Sequence, residues 1–189
     1  MSNILLFDLE TTGFPKFKNA QPFFTRSFDS ARIIEIAYVI ITPEGKHVKE
    51  VSQLVKYDNK IEIKNSHIHG ITEEMVSDKG IKMELMLDEL YHDLKTVDTI
   101  VAHNMSFDVN VLLSEVYRKY STYKHLLGEI YSKDQHCTMM MGRKYMETNK
   151  YPKLVELYKI LLNLDWVQSH RALDDVEVCC KCYLKMMNL

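Results

Sequence analysis

The stretch Ile4-Leu5-Leu6-Phe7-Asp8-Leu9-Glu10-Thr11-Thr12-Gly13 places two carboxylates at the end of an apolar run. Strand side chains alternate between faces, so a strand over residues 3–9 points Asp8 and Glu10 the same way and Leu9 the other. Thr11 and Thr12 end the run, and Gly13 permits a sharp exit with close approach of backbone or ligand. Two acids on one patch raise each other's pKa and resist ionisation unless a cation sits between them. The same D-x-E spacing occurs on ordinary surface strands, so its meaning depends on what meets it in the fold.

A third acid comes from Val101-Ala102-His103-Asn104-Met105-Ser106-Phe107-Asp108. Residues 98–102 read as a short buried strand, and apolar residues recur at helical spacing from Phe107 to Tyr120, with Val111, Leu112, Val116 and Tyr120 on one side. Asp108 therefore falls in the first turn of a helix, where the helix dipole alone already favours an acid. The fourth acid closes His170-Arg171-Ala172-Leu173-Asp174-Asp175, at the start of a helix over 172–187. At ~100° per residue, His170 and Asp175 would diverge if both were helical. They serve one site only with His170 on the preceding loop, Ser169 near the cap position and Asp175 in the first turns. A loop histidine can swing in and out, and with an unperturbed pKa near ~6.5 it can take a proton from water at neutral pH. A surface histidine beside a helix N-terminus is the plainer account of the same segment. Asp174 reads as a dipole-stabilising acid rather than a ligand.

Taken in order, F-D-x-E-T-T-G, A-H-N-x-x-F-D and H-R-A-L-D-D resemble the DEDDh 3′-to-5′ exonucleases, a family that includes proofreading subunits of replicative polymerases. The resemblance runs from residue 4 to about residue 184. It takes in Arg32-Ile33-Ile34-Glu35-Ile36-Ala37, similar to the family's second strand, His69-Gly70-Ile71-Thr72, similar to its turn before the next helix, and the Lys153, Leu154 and Leu157 helix. What it implies is an RNase H-like fold, two divalent cations (Mg²⁺ or Mn²⁺), and nucleoside 5′-monophosphates released from a nucleic acid with a free 3′ end. By that likeness Asp8 bridges both ions, Glu10 and Asp175 hold the water-activating ion, Asp108 holds the second, and His170 is the general base. Leu9, Thr11, Thr12, Asn104 and Phe107 would contact the terminal nucleotide, although Phe107 could equally anchor its own helix. DNA, single-stranded or frayed, is the expected substrate, with RNA trimming as the alternative. A polymerase or another replication or repair protein is the implied partner. A noncatalytic nucleic-acid-binding or scaffolding domain is the rival reading, and a mere binding module has no use for a repelling carboxylate cluster.

With 24 basic and 26 acidic residues the formal charge is −2, so no global basic field advertises nucleic acid and contacts must be local. Lys16, Lys18, Arg26 and Arg32 flank the first motif, while Arg143, Lys144, Lys150 and Lys153 precede the last; either group could track phosphates or be solvated surface. The apolar start is broken at Asp8 and nothing approaches the ~20 apolar residues of a membrane span, so a soluble intracellular protein is expected, its compartment open. Cys137, Cys179, Cys180 and Cys182 lack a zinc spacing and read as reduced thiols. His67-x-His69 offers two possible metal ligands and no third.

The 189 residues suffice for one domain with a sizeable core, expected over 1–189. The expected class is α/β, a mixed five-stranded sheet flanked by helices, with strands at 3–9, 32–41, 47–56, 98–102 and 133–137. The first three strands are expected antiparallel and joined by tight turns such as Pro43-Glu44-Gly45. Helices are expected at 81–95, 106–120, 138–147, 153–163 and 172–187. The stretch 14–31, with two prolines and five phenylalanines, fits none of these elements. It forms either a wall over the 3′ end, a docking surface for a partner, or a loop whose rings cover the sheet edge.

Overall fold

The structure, a computed structural model, describes residues 2–59 and 61–188. Its centre is β1 (Asn3–Thr11), which pairs antiparallel with β2 (Ile33–Ile41) on one side and parallel with β5 (Val97–Ala102) on the other. Beyond β2 lie β3 (His47–Lys56) and the short β4 (Ile81–Lys82), and beyond β5 lies β6 (Asp134–Cys137), giving the order β4-β3-β2-β1-β5-β6. The sheet thus has six strands rather than five. The additional one is the two-residue β4, which pairs parallel with Val55 and Lys56 where a helix start was expected.

Helices cover both faces. On one side pack α3 (Met83–Leu94), α4 (Met105–Arg118) and α5 (Tyr120–Ser132), meeting Leu5, Phe7 and Leu9 of β1. On the other pack α7 (Leu154–Leu162) and α8 (Ala172–Met187), meeting Ile4 and Leu6. The alternation along β1 therefore sends Asp8 and Glu10 toward the α8 side. Every residue of β2 is buried, as expected of a central strand covered on both faces. The remaining helices are α1 (Ser66–His69), α2 (Glu73–Lys79) and α6 (Thr138–Tyr145).

Some expectations need correction. The helix read through Tyr120 ends at Arg118; Tyr120 opens α5, is 53% exposed, and stacks on Tyr117 with ring centres 6.2 Å apart. α5 went unrecognised because Ser121, Thr122 and Gly128 dilute it, although Tyr123, Leu126, Leu127 and Ile130 form a buried i, i+3, i+4, i+7 stripe. α1 and α2 are too short to carry a periodic signal. A tight turn joins β2 to β3, with Gly45 at φ 82° donating its N–H to Thr42 O at 2.9 Å. β1 and β2 are joined instead by residues 12–32.

That long connection is pinned. Lys16 N–H donates to Ser27 O (2.8 Å), Ser30 Oγ to Phe14 O (2.7 Å), and the Arg118 guanidinium to Thr25 O (2.6 Å) and Asp29 Oδ1 (2.7 Å). A Cβ at Gly13 would lie 2.8 Å from Ser30 O, so the close approach that Gly13 allows is by this connection's own backbone. Of its five phenylalanines only Phe28 enters the core. Cys179, Cys180 and Cys182 are free thiols buried on α8. No helix among the described residues is long and apolar enough to cross a membrane.

Candidate active site

Three elements meet at one end of the sheet. β1 presents Asp8 and Glu10, and α8 packs across that face with Asp175 in its first turn. Carboxylate oxygens of Asp8, Glu10 and Asp175 all lie within 4.8 Å of one another. Asp108, in the first turn of α4 as expected, is buried and close enough that its charge is the largest neighbour effect on Asp8. The four acids from three separated segments thus converge.

Convergence has an electrostatic cost. Burial, then Asp108, Asp175 and Glu10, push Asp8 well above the usual carboxylate range. Burial and then Asp175 push Glu10 up to about 8, with Arg171 opposing. Asp108 is raised well above its ordinary value by burial, while the backbone of Asp108 itself and of Leu9 pulls the other way. Burial raises Asp175 to about 6 against a hydrogen bond from Gln168. Without a cation these carboxyls resist ionisation.

The donor set fits a hard divalent cation. Every ligand is a carboxylate oxygen, which suits Mg²⁺ or Mn²⁺. Asp175 accepts from Gln168 Nε2 at 2.5 Å through Oδ2, yet its Oδ1 is buried with no hydrogen-bond partner. A buried, unpaired carboxylate oxygen on a residue clustered with two more carboxylates is an acceptor without a donor, which a cation would satisfy.

His170 lies on the loop ahead of α8 in left-handed backbone, φ 52°. The helix N-cap is Arg171 rather than Ser169, whose hydroxyl donates to Asp174 at 2.5 Å. Asp174 is exposed and lies outside the group formed by Asp8, Glu10 and Asp175. The loop is less free than expected. Gln168 is tied to Asp175, Ser169 to Asp174, and Arg171 to Glu35, so the chain is held on both sides of His170.

Glu35 was the main residue missed as part of the site. It is 1% exposed, sits opposite Glu10 in the β1–β2 register, and accepts from Arg171 Nη2 at 2.5 Å and from Ala172 N–H at 3.0 Å. One buried carboxylate therefore fixes the two residues that follow His170. A charge inside the apolar run Ile33–Ile41 was a legible signal, because a buried acid needs a partner. Gln168 left no such trace.

The substrate-contact expectations divide. Leu9 is buried in the core on the opposite face. Thr11 Oγ1 donates to Gly13 O (2.7 Å) and Thr12 Oγ1 accepts from Arg32 N–H (2.9 Å), so both hydroxyls hold the exit of β1. Asn104 is exposed at φ 77° as the N-cap of α4. Phe107 is partly buried against the core and its ring centre lies 6.0 Å from Phe14, so the two readings of it are compatible. His103 contacts Thr138 Oγ1 (3.0 Å) and Pro152 O (3.2 Å), and burial holds it down at about 4, marking it as a neutral structural group. His69 is buried, accepts from Ile71 N–H through Nδ1 (3.1 Å), and has no metal-ligating cluster around it among the described residues.

Of the basic groups, Arg32 is committed to Glu115 through Nε–Oε1 (2.6 Å) and Nη2–Oε2 (3.0 Å) and lies over Tyr57. Arg143 is held by Thr148, Asn149 and Tyr151, and Lys150 by Glu156. Lys16, Lys18 and Arg26 make no ion pair with a described residue.

Comparison with known proteins agrees with this geometry. The RNase T-type exonuclease family profile matches residues 5–183. Exodeoxyribonuclease 10 of Escherichia coli strain K12 is 32% identical over 160 residues, 82% of this chain and 62% of that protein. The PolC-type DNA polymerase III of Thermotoga petrophila is 30% identical over 157 residues, 83% of this chain and 11% of the polymerase. The chain thus spans about a tenth of that polymerase and under two thirds of the exodeoxyribonuclease. Among solved structures, Exonuclease X in complex with 5′-overhanging duplex DNA has a TM-score of 0.64 at 28% identity, over 98% of this chain and 91% of that one. Escherichia coli exonuclease I bound to a dT13 oligonucleotide shares the fold, with a TM-score of 0.71 at 17% identity over 98% of this chain and 41% of that one. The helix-flanked mixed sheet is the RNase H-like fold. The order in which the acids occur, the sheet end where they meet, and a match over nearly the whole length place the chain in the exonuclease family.

Proposed function

We propose that the chain is a metal-dependent 3′-to-5′ exonuclease acting on single-stranded or frayed DNA and releasing nucleoside 5′-monophosphates. The observation that carries this is the meeting of Asp8, Glu10 and Asp175 within 4.8 Å, with Asp175 Oδ1 buried and unpaired. Asp8, Glu10 and Asp175 would hold one divalent cation, and Asp8 with Asp108 a second. Cations bound there lower the pKa of water and neutralise charge building on the scissile phosphate. His170, on the loop that leads into the helix carrying Asp175, takes the proton from the attacking water. Glu35 and Arg171 hold the backbone beside His170, and Phe107 lies against the end of the strand being shortened. The deoxyribonuclease relatives support DNA over RNA, and the relatives that are components of DNA polymerase III support a polymerase or repair partner.

The test is digestion of matched 5′-labelled DNA and RNA oligonucleotides with Mg²⁺, Mn²⁺ or EDTA. A metal-dependent ladder shortening from the 3′ end of DNA is expected. Preferential shortening of RNA would reassign the substrate, and internal cuts would contradict the exonuclease reading.

A further inference from the structure

The two oxygens of Asp175 stand differently. The residue is buried in the first turn of α8; Oδ2 accepts from Gln168 Nε2 at 2.5 Å, and Oδ1 has no hydrogen-bond partner. The terminal torsion of an aspartate is broad, so nothing in the side chain itself fixes which oxygen is left for a cation. A donor seated on one oxygen fixes it.

The plainer duties of a polar residue ahead of a helix are already taken. The N-cap is Arg171, the Ala172 N–H is met by Glu35, and Ser169 Oγ on Asp174 fastens the loop to the outer side of the first turn. Upstream, the Trp166 ring lies 6.3 Å from Tyr158 edge-on, and Lys159 pairs with Asp165. Gln168 is half-buried between exposed Val167 and Ser169, so its amide is spent on the buried carboxylate rather than left in water.

The choice of an amide has a chemical reason. Lysine or arginine could donate to the same oxygen, yet the positive charge would repel a cation and neutralise the carboxylate in its place. A neutral donor supports the ionised carboxylate without competing for it. Hydrogen bonds that orient metal-ligating carboxylates typically cost about 10–100-fold in metal affinity or activity when removed.

We propose that Gln168 is a positioning residue: by holding Asp175 through Oδ2 it reserves Oδ1 for the cation that Asp175 shares with Asp8 and Glu10. The proposal rests on the metal-site reading of those acids and adds to the site a neutral residue from the loop that carries His170.

The experiment titrates Mn²⁺ into wild type, Gln168→Met, Gln168→Lys and Ser169→Ala by calorimetry, with melting temperature in EDTA and cleavage kinetics alongside. Gln168→Met, which keeps the length without the donor, should weaken Mn²⁺ binding about 10–100-fold. At low Mn²⁺ it should lower kcat with KM for DNA unchanged, and raising Mn²⁺ should restore most of the rate. Gln168→Lys keeps a donor and adds charge; it should melt no lower than wild type in EDTA and still bind Mn²⁺ more weakly, a combination that a folding defect does not produce. Ser169→Ala removes the outer fastening of the same loop and should bind Mn²⁺ as wild type does. Wild-type Mn²⁺ affinity in both Gln168 variants would overturn the proposal. An equal loss in Ser169→Ala would overturn it too, because anchoring of the loop would then account for the effect. Weaker Mn²⁺ binding in the Gln168 variants, with no strand shortened by any of the proteins, would keep the positioning role and remove the exonuclease reading. A wild type that binds no Mn²⁺ would remove both.

Discussion

Replacing Glu10 by glutamine should stabilise the metal-free protein at alkaline pH and leave it nearly unchanged at acid pH. A carboxyl raised from 4.5 to about 8 binds its proton more tightly folded than unfolded. Its stabilising contribution is complete below pH 4.5 and is lost as pH rises through about 8, the reverse of an ordinary salt-bridged acid. At about 1.4 kcal/mol per pH unit, that span corresponds to roughly 4 kcal/mol by pH 8. Glu10 is partly exposed, and solvent screening brings the expected difference to about 2–3 kcal/mol. For a chain of this size that is on the order of 5–10 °C in melting temperature. The assay is thermal unfolding in EDTA from pH 5 to 8 for wild type and Glu10→Gln. His69 and His103, both lowered by burial, act oppositely: their contribution is present above about pH 6.5 and lost on acidification, and it cancels between the two proteins. Saturating Mg²⁺ should reverse the order, because only wild type keeps the full ligand set, and about 2.7 kcal/mol accrues at a hundredfold excess over Kd. Parallel melting curves across the pH range would refute the reasoning.

Two further predictions concern the histidine and its support. His170→Ala should slow cleavage by about 10²–10⁴-fold while sparing DNA affinity, measured by single-turnover kinetics; a variant as fast as the parent would exclude His170 as base. Glu35→Gln should lower kcat at least tenfold with little change in divalent-cation affinity, since the cluster stays while the His170 backbone loosens, and about 3 kcal/mol of stability should be lost with the buried pair. Titration calorimetry and urea unfolding check both halves, and unchanged kcat would reduce Glu35 to a structural role.

The parts of the site that were legible in the sequence share one physical property. Asp8 and Glu10 follow from strand alternation, Asp108 from a helix start, and Asp175 with a loop His170 from the angle between helical positions, so each is a local rule applied to a few residues. What local rules do not reach is the partner across the fold. Glu35 stood out as a charge in an apolar strand, but Arg171 as its partner is set by how α8 crosses the sheet, 136 residues away. Gln168 is one polar residue on an irregular loop and carried no signal. The same limit explains the elements. β4 exists only because β3 offers an open edge, and α5 hides behind Gly128 and a run of hydroxyl residues. The connection 14–31 could be recognised as unusual from its composition, while its pinned backbone and outward rings depend on Arg118 and Ser30 contacts that no spacing predicts.

The most direct test of the central claim is a Mn²⁺ titration of wild type and Asp8→Ala, run beside cleavage of a 5′-labelled single strand. Cation binding and 3′-end shortening should disappear together in Asp8→Ala, while its metal-free fold becomes more stable. A variant that still binds Mn²⁺ as wild type does, or still shortens the strand, would contradict the assignment of the carboxylate cluster as the catalytic metal site.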